Sequence, residues 1–489
     1  MTLSFWSNCR RPNPYLFVLL IPLVCGITFK FLALNQTDYA NGWDGYYYVM
    51  QAHSWLEFGH LQSLDYSPVY PFYTAICYLI GNYELGYKVG SSIIAGLLMI
   101  SVGVLVYGIK KDFVSVLIIL NLLCFSPLFT YFVAQFPKNT MGMCFLFGFM
   151  HMLNKGNKIG VLVFFLLTIM THRMTAGLSL IIVVIYGYQY LSKKWLFGAL
   201  GITIVVSFLP GIFHWSDLKR LEGMFSLWPQ FAPWSFYQVF TSVWSFWWSV
   251  ELLMLMLSIL LLIYLYIYNK EWKNKNLLIK YCFPIIIIIS FFPFMIFEGG
   301  SLGYRFFLIA PLVTFTYFIL LFPARLKKSL LRYTVVLVFA GFYSYRSYQP
   351  RFHDPPNKLY ELISLRLINL VDIKKFPLVI AHKSLAEMII YKTDFDALNW
   401  APAAYQIENA LRISKGVAYW HLSKYLSPQE LKEVEKLTTN YYCLPETLWV
   451  EFISRIEHDK NWELLERIYR YENPVEVLPD FLSKSKTLP

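Results

Sequence analysis

Charge is scarce in this chain, and scarcest around one conspicuous acid. From Phe31 to Tyr87 there is no Lys or Arg, yet Asp44 stands in the middle of that stretch. Of the 489 residues only 15% are charged, against 57% hydrophobic and 19% aromatic, with a mean hydropathy of +0.47. That balance excludes an ordinary soluble domain and predicts a chain that crosses a bilayer many times. Cysteine is sparse too. The seven cysteines form no CxxC pair and no even spacing; Cys25, Cys124, Cys144 and Cys282 sit in apolar runs, and Cys443 is alone in the tail. Neither a disulfide framework nor a zinc site is expected. Internal repeats and low-complexity linkers are also lacking.

The net charge of +12 could point to nucleic acid, but its placement argues otherwise. Residues 1–348 hold 24 Lys and Arg against 11 Asp and Glu, while residues 349–489 hold 18 against 19. The basic excess belongs to the apolar part, where short basic loops set membrane orientation. No nucleic-acid partner is expected.

What the chain does have is a series of apolar segments long enough, or nearly so, to cross a bilayer. They run over 15–34, 85–109, 113–133, 139–154, 158–171, 174–191, 195–213, 241–268, 281–297, 303–322 and 333–348. The expected fold is therefore membrane all-α with about eleven transmembrane helices. The first run is too long for a signal-peptide core and reads as an uncleaved anchor. Basic pairs such as Arg10/Arg11, Lys110/Lys111, Lys155/Lys158 and Lys193/Lys194 alternate correctly as cytoplasmic loops. The N-terminus is then cytoplasmic. Loops 35–84, 134–138, 172–173, 214–240 and 298–302 fall outside, with the tail. The expected location is a multi-pass protein of a bacterial plasma membrane. Segments 46–58 and 68–82 are predicted to lie on the outer surface as juxtamembrane helices.

Two domains are expected: a polytopic part, 1–348, and a small extracytoplasmic α/β domain, 349–489. In the tail, "FPLVIAH" (376–382) and "GVAYWHLS" (416–423) read as strands, and "SLAEMIIY" (384–391) and "SPQELKEVEKL" (427–437) as helices. The D-x-D of "TDFDA" (393–397) reads as a surface turn rather than a metal site.

Of the eleven acids before residue 349, eight lie at or near the outer face: Asp38, Asp44, Glu57, Asp65, Glu84, Asp217, Glu222 and Glu298. Chemistry is therefore sought there. Asp44 follows span one in a tyrosine-rich stretch without cations. A carboxylate so placed suits a general base toward a hydroxyl, or simply caps the helix starting near Gly45. Lys138, His172, Arg173 and Arg305 are cations on the same side. Ionisable groups at such depths are usually paired or functional, although long side chains near helix ends also snorkel to the headgroups. Together such cations suit binding of a phosphate.

In order and sidedness, "GWDGYYYVMQA", "SPVYPFYTAICYLIG", "THRMTAG" and "YRFFLIAPL" resemble the GT-C glycosyltransferases, the aminoarabinose and protein mannosyltransferases among them. The resemblance covers roughly residues 15–348. It implies an inverting transferase that moves a sugar from a polyprenyl-phosphate carrier to the hydroxyl of a glycan, lipid or protein acceptor. Asp44 would be the base. The donor phosphate would sit at Arg305, assisted by Arg173, His172 or Lys138. Relatives often carry a second acid in the first loop; here Asp65, Glu298 and an acid of loop 214–240 stay open for it, with Tyr47 a further residue for the acceptor side. Tyr46–Tyr48 either stack on sugar or anchor at headgroup depth. A divalent cation near Asp44 stays open, without a visible ligand cluster. Three other readings remain: an O-antigen polymerase or ligase; a transporter, for which only Glu251 offers a polar group at mid-span; and a non-enzymatic assembly or scaffold protein, which would not depend on Asp44.

Overall fold

The computed structural model describes residues 14–40, 42, 44–62, 67–190, 198, 201, 246–268, 276–291, 302–321, 361, 364, 378–381, 383–393, 396–399 and 443 with its two predecessors. The strand predicted over 416–423 and the helix over 427–437 lie outside these residues, as do Asp65, Glu298, most of span 195–213 and all of span 333–348.

The described chain is mostly helical. In order it forms α1 (Pro14–Leu34), α2 (Gly45–Phe58), α3 (Val69–Ile80), α4 (Tyr83–Lys110), α5 (Phe113–Phe125), α6 (Pro127–Gln135), α7 (Pro137–Lys155), α8 (Lys158–Thr171) and α9 (Arg173–Tyr190). Then come α10 (Phe246–Tyr268), a π-turn Leu278–Cys282 leading into α11 (Phe283–Ser290), and α12 (Leu302–Leu321). In the tail are β1 (Leu378–Ala381), α13 (Lys383–Lys392), β2 (Asp396–Asn399) and β3 (Tyr441–Cys443). One helix among the described residues, α4, is by itself long and apolar enough to cross a bilayer. α5 and α6 reach that length and apolarity only together, bent by 63°.

Helix ends follow local chemistry. Asp112 caps α5, accepting from the backbone N–H of Val114 (3.3 Å) and Ser115 (3.1 Å). Asn157 caps α8 by accepting from Gly160 N–H at 3.1 Å. α7 stops at Gly156, whose φ of 70° favours a residue without a Cβ. α4 carries Glu84 in its first turn and Lys110 in its last, each opposite in sign to the helix end it occupies.

The described residues fall into two compact units. The first is drawn from 1–36, 64–72 and 88–348. Its apolar interior joins Leu98, Val102, Ile119, Leu123, Phe132, Phe147 and Phe307, with Phe283 stacked on Tyr317 at 5.5 Å. The second is drawn from 37–63, 73–87 and 349–489. Residues 37–63 and 73–87 thus cluster with the tail rather than with the helices that follow. In this unit β1 pairs in parallel with β2 on one side and β3 on the other, in the order β2-β1-β3. Leu378 lies opposite both Asp396 and Tyr441. Asp396 and Ala397, expected in a turn, begin β2.

The run 113–133, expected as one span, is broken. Pro127 has no N–H and crowds the residue before it, so Ser126 leaves the helical region (φ −63°, ψ 117°) and α6 starts anew. The Ser126 hydroxyl caps α6 through Phe129 N–H at 3.0 Å. Both sides of the break hold a buried charge. The Lys30 ammonium of α1 donates to the carbonyls of Leu123 (3.2 Å), Cys124 (2.9 Å) and Ser126 (3.5 Å), and to the Thr130 hydroxyl (2.6 Å). The Glu251 carboxylate of α10 accepts from the Ser126 hydroxyl and from Leu128 N–H, the latter at 2.8 Å.

Candidate functional site

In the first unit, four separate segments meet around Arg305. α8 ends because His172 is extended (φ −158°, ψ 141°), and α9 begins at Arg173. The corner is tied down: Thr175 donates its hydroxyl to His172 O at 2.8 Å, and Ser67, just before α3, donates to Thr171 O at 3.2 Å. At the α6–α7 corner the Phe136 ring lies under the Arg305 guanidinium, 4.6 Å from ring centre to carbon. Lys138, in the first turn of α7, sits over the Tyr70 ring at 5.4 Å. Aromatic faces thus hold two cations by their π-electrons.

The contact between His172 and Arg305 is informative. His172 Nδ1 accepts from Met174 N–H at 3.1 Å, so that nitrogen carries no proton. The neutral ring then has its proton on Nε2. Nε2 lies 3.3 Å from Arg305 Nη1, which can only donate. Donor faces donor. An oxygen seated against both would turn this contact into two hydrogen bonds. Enclosure, then Arg305, Lys138 and Arg173, hold the imidazole well below its ordinary proton affinity, which keeps it neutral. Arg173 itself is exposed. The structure therefore brings His172, Arg305, Lys138 and, unforeseen, Tyr70 and Ser67 together, with Arg173 acting on them from the rim.

A pH dependence follows. Between the folded and unfolded pKa of His172 the unfolded chain binds more protons. Stability should therefore fall as pH drops below about 6.5, by at most about 1.4 kcal/mol per pH unit for one proton. His172→Gln is expected to flatten that slope in thermal unfolding between pH 7 and 5. An identical slope in the variant would show that another group is responsible.

α7 and α9 approach closely beside this corner. A Cβ on Gly142 would stand 2.5 Å from the Thr175 hydroxyl. Gly142→Val should therefore displace the turn that carries His172 and weaken anion binding more than it lowers thermal stability.

Asp44 belongs to the second unit. It occupies the N-cap position of α2, but its side chain makes no capping hydrogen bond. Its carboxylate acts on Tyr48, whose hydroxyl is held well above its ordinary pKa by burial first and then by Asp44, Tyr73, Tyr87 and Tyr47. Tyr48, Tyr73 and Tyr87 pack ring on ring, with centroids 5.3, 5.4 and 6.1 Å apart. Tyr46 and Tyr48 are buried, whereas Tyr47 is half-buried. Of the three tyrosines, Tyr47 keeps surface for a ligand. Gly45 follows Asp44 because a Cβ there would lie 2.9 Å from Ala40 O.

The same unit holds a polar clamp that nothing in the sequence announces, because it joins Tyr39 and Glu84 to residues some 300 positions later. Tyr391 donates to Glu84 at 2.6 Å, and Lys392 bridges Glu84 (3.2 Å) and Glu361 (3.1 Å). Tyr39 donates to Glu361 at 2.9 Å. Tyr391 also packs on Tyr46, 5.9 Å away, two positions from Asp44. Loss of a hydrogen bond to a charged group is worth about 1.5–3 kcal/mol. Tyr391→Phe should lower the protection of α2 and α13 against limited proteolysis accordingly, and Glu84→Gln should do the same.

Among the described residues no three His, Cys, Asp or Glu side chains group so as to hold a metal ion. Compared with protein-family models and with curated proteins, the chain matches none.

Proposed function

We propose that this chain is a multi-pass membrane glycosyltransferase of the GT-C kind. It moves a sugar from a polyprenyl-phosphate carrier to the hydroxyl of a glycan, lipid or protein acceptor at the outer membrane face, with inversion. The observation that carries the reading is the donor-to-donor contact of His172 Nε2 and Arg305 Nη1, with Lys138 beside it. This is a seat for an anionic oxygen. As the glycosidic bond breaks, negative charge grows on the leaving phosphate. Donors already in position stabilise it without reorganising. Asp44 takes the acceptor's proton as its oxygen attacks the anomeric carbon from the opposite face. A phosphate leaves without being protonated, so no general acid is needed, unlike glycoside hydrolysis.

The membrane reading is supported by the outward apolar face of α10, where Leu253, Leu257, Leu260, Tyr264 and Ile267 are exposed. So much exposed apolar surface on one helix suits lipid. The count of about eleven spans, the cytoplasmic N-terminus, the bacterial plasma membrane and the outer α/β tail domain are our reading of the loop charges and apolar runs. The two residue sets, Asp44 on one unit and the cations on the other, are tested separately.

The test uses purified protein in nanodiscs with a panel of radiolabelled polyprenyl-phosphate sugars and a membrane extract as acceptor source. Release of polyprenyl phosphate by wild type supports the transferase. A chain that binds none of the donors and releases nothing sinks it. Turnover only with pyrophosphate-linked oligosaccharides would favour the polymerase or ligase reading instead.

A further inference from the structure

The break between α5 and α6 carries an inference of its own. A broken helix exposes carbonyls at the end of one half and N–H groups at the start of the next. In apolar surroundings each such group must find a partner. Transporters place cargo ions at these ends. Here the chain supplies both ions itself. The Lys30 ammonium fills the carbonyl seat at the end of α5, and the Glu251 carboxylate fills the N–H seat at the start of α6. Each charge opposes the helix-end dipole it meets. Ser126 joins them: its carbonyl accepts from Lys30 and its hydroxyl donates to Glu251. Lys30 and Glu251 are 0% and 5% exposed, so neither has water as a substitute partner.

α6 runs from this joint for nine residues and ends at Phe136, the ring beneath Arg305. Phe136 N–H closes the last turn of α6 on Phe132 O at 2.9 Å. Two residues on, Lys138 enters the same site. The direction of α6 at its start therefore sets where the Arg305 platform and Lys138 lie at its end.

We propose that Lys30 and Glu251 are positioning residues for the anion site. They are tethered ion ligands that fill both seats of the α5–α6 break and so hold α6 with Phe136 under Arg305. The proposal rests on reading the Arg305 cluster as an anion site.

The experiment uses the full chain in nanodiscs, with two readouts: amide hydrogen exchange over residues 126–136, and affinity for farnesyl phosphate. Lys30→Ala vacates a seat the size of an ammonium group. It should speed exchange and weaken farnesyl phosphate binding by about tenfold each, as for loss of a buried charge-assisted hydrogen bond. Methylammonium chloride should restore both, because the small cation fits the vacated seat. Tetramethylammonium chloride at the same concentration should restore neither. Glu251→Gln should show both losses without methylammonium rescue. Should Lys30→Ala not fold, Ser126→Ala keeps both charges and removes the hydroxyl that donates to Glu251 and accepts from Phe129 N–H. It should speed exchange by about tenfold, the scale of one hydrogen bond to a carboxylate.

Unchanged exchange in Lys30→Ala and Ser126→Ala overturns the proposal. So does equal rescue by the two ammonium salts, or faster exchange in the variants with farnesyl phosphate affinity kept at the wild-type value. If wild type itself does not bind farnesyl phosphate while methylammonium still restores exchange, the anion-site reading falls, and the positioning role with it. The ion-filled joint alone then stands.

Discussion

Arg305→Ala is expected to reduce release of polyprenyl phosphate by about 10²–10³-fold, the usual effect of removing one prepositioned donor from a site of developing negative charge. In the proposed transferase Arg305 supplies a charge that no described neighbour replaces in kind. Lys138 is held over Tyr70, and His172 is neutral. Arg305→Lys should recover part of the rate, because it keeps the charge but loses the planar guanidinium that stacks on Phe136. The effect should fall on kcat more than on KM, since the interaction strengthens as the phosphate leaves. Equal losses in donor affinity and in kcat/KM, with kcat unchanged, would instead make Arg305 a ground-state binder. Wild-type turnover in Arg305→Ala would falsify the assignment.

Asp44→Asn should lower turnover by about 10²–10⁴-fold, the range for loss of a general base. The substitution is nearly isosteric, and asparagine serves as well as aspartate at a helix N-cap. Because the Asp44 side chain makes no capping bond, thermal stability should stay within about 0.5 kcal/mol of wild type, the ordinary range for such sites. Helix content and unfolding temperature therefore serve as internal controls. Donor affinity should also persist, because the proposed phosphate ligands are other residues. If Asp44→Asn turns over like wild type, the base lies elsewhere, and the acids outside the described residues, Asp65 and Glu298, become the next to test.

The helices were legible because apolar runs and end signals are local. The runs 158–171 and 174–191 correspond to α8 and α9 within a residue at each end. Gly156 and Asn157 mark the turn that precedes α8 in composition alone. The segments 46–58 and 68–82, expected to be helices at the outer surface, are helical as α2 and α3, with Gly59 and Gly81 in the left-handed region at their ends. The break at Ser126 was equally local and could have been taken from the Ser-Pro pair. It was hidden by the length of the apolar run around it. Arg305 and His172 stood out as ionisable groups in apolar surroundings, and that signal needs no partner to be visible.

Pairing was a different matter. No periodicity places Phe136 under Arg305, Lys30 on the carbonyls of α5, or Lys392 between Glu84 and Glu361. Most of these contacts join positions about 100 to 300 apart, and each exists only because burial forces polar groups to find whatever partner packing brings near. Residue type alone made Glu251 a transporter-like acid. Its bonds to Ser126 and Leu128 make it a helix cap. Residue type alone made Tyr46–Tyr48 sugar platforms or interfacial anchors. Packing buries two of them and leaves Tyr47. Composition and order are enough for class and helix positions, because helix formation and water avoidance act over a few residues. Which charge meets which is settled by the free energy of desolvation, and that depends on neighbours the chain acquires only when folded.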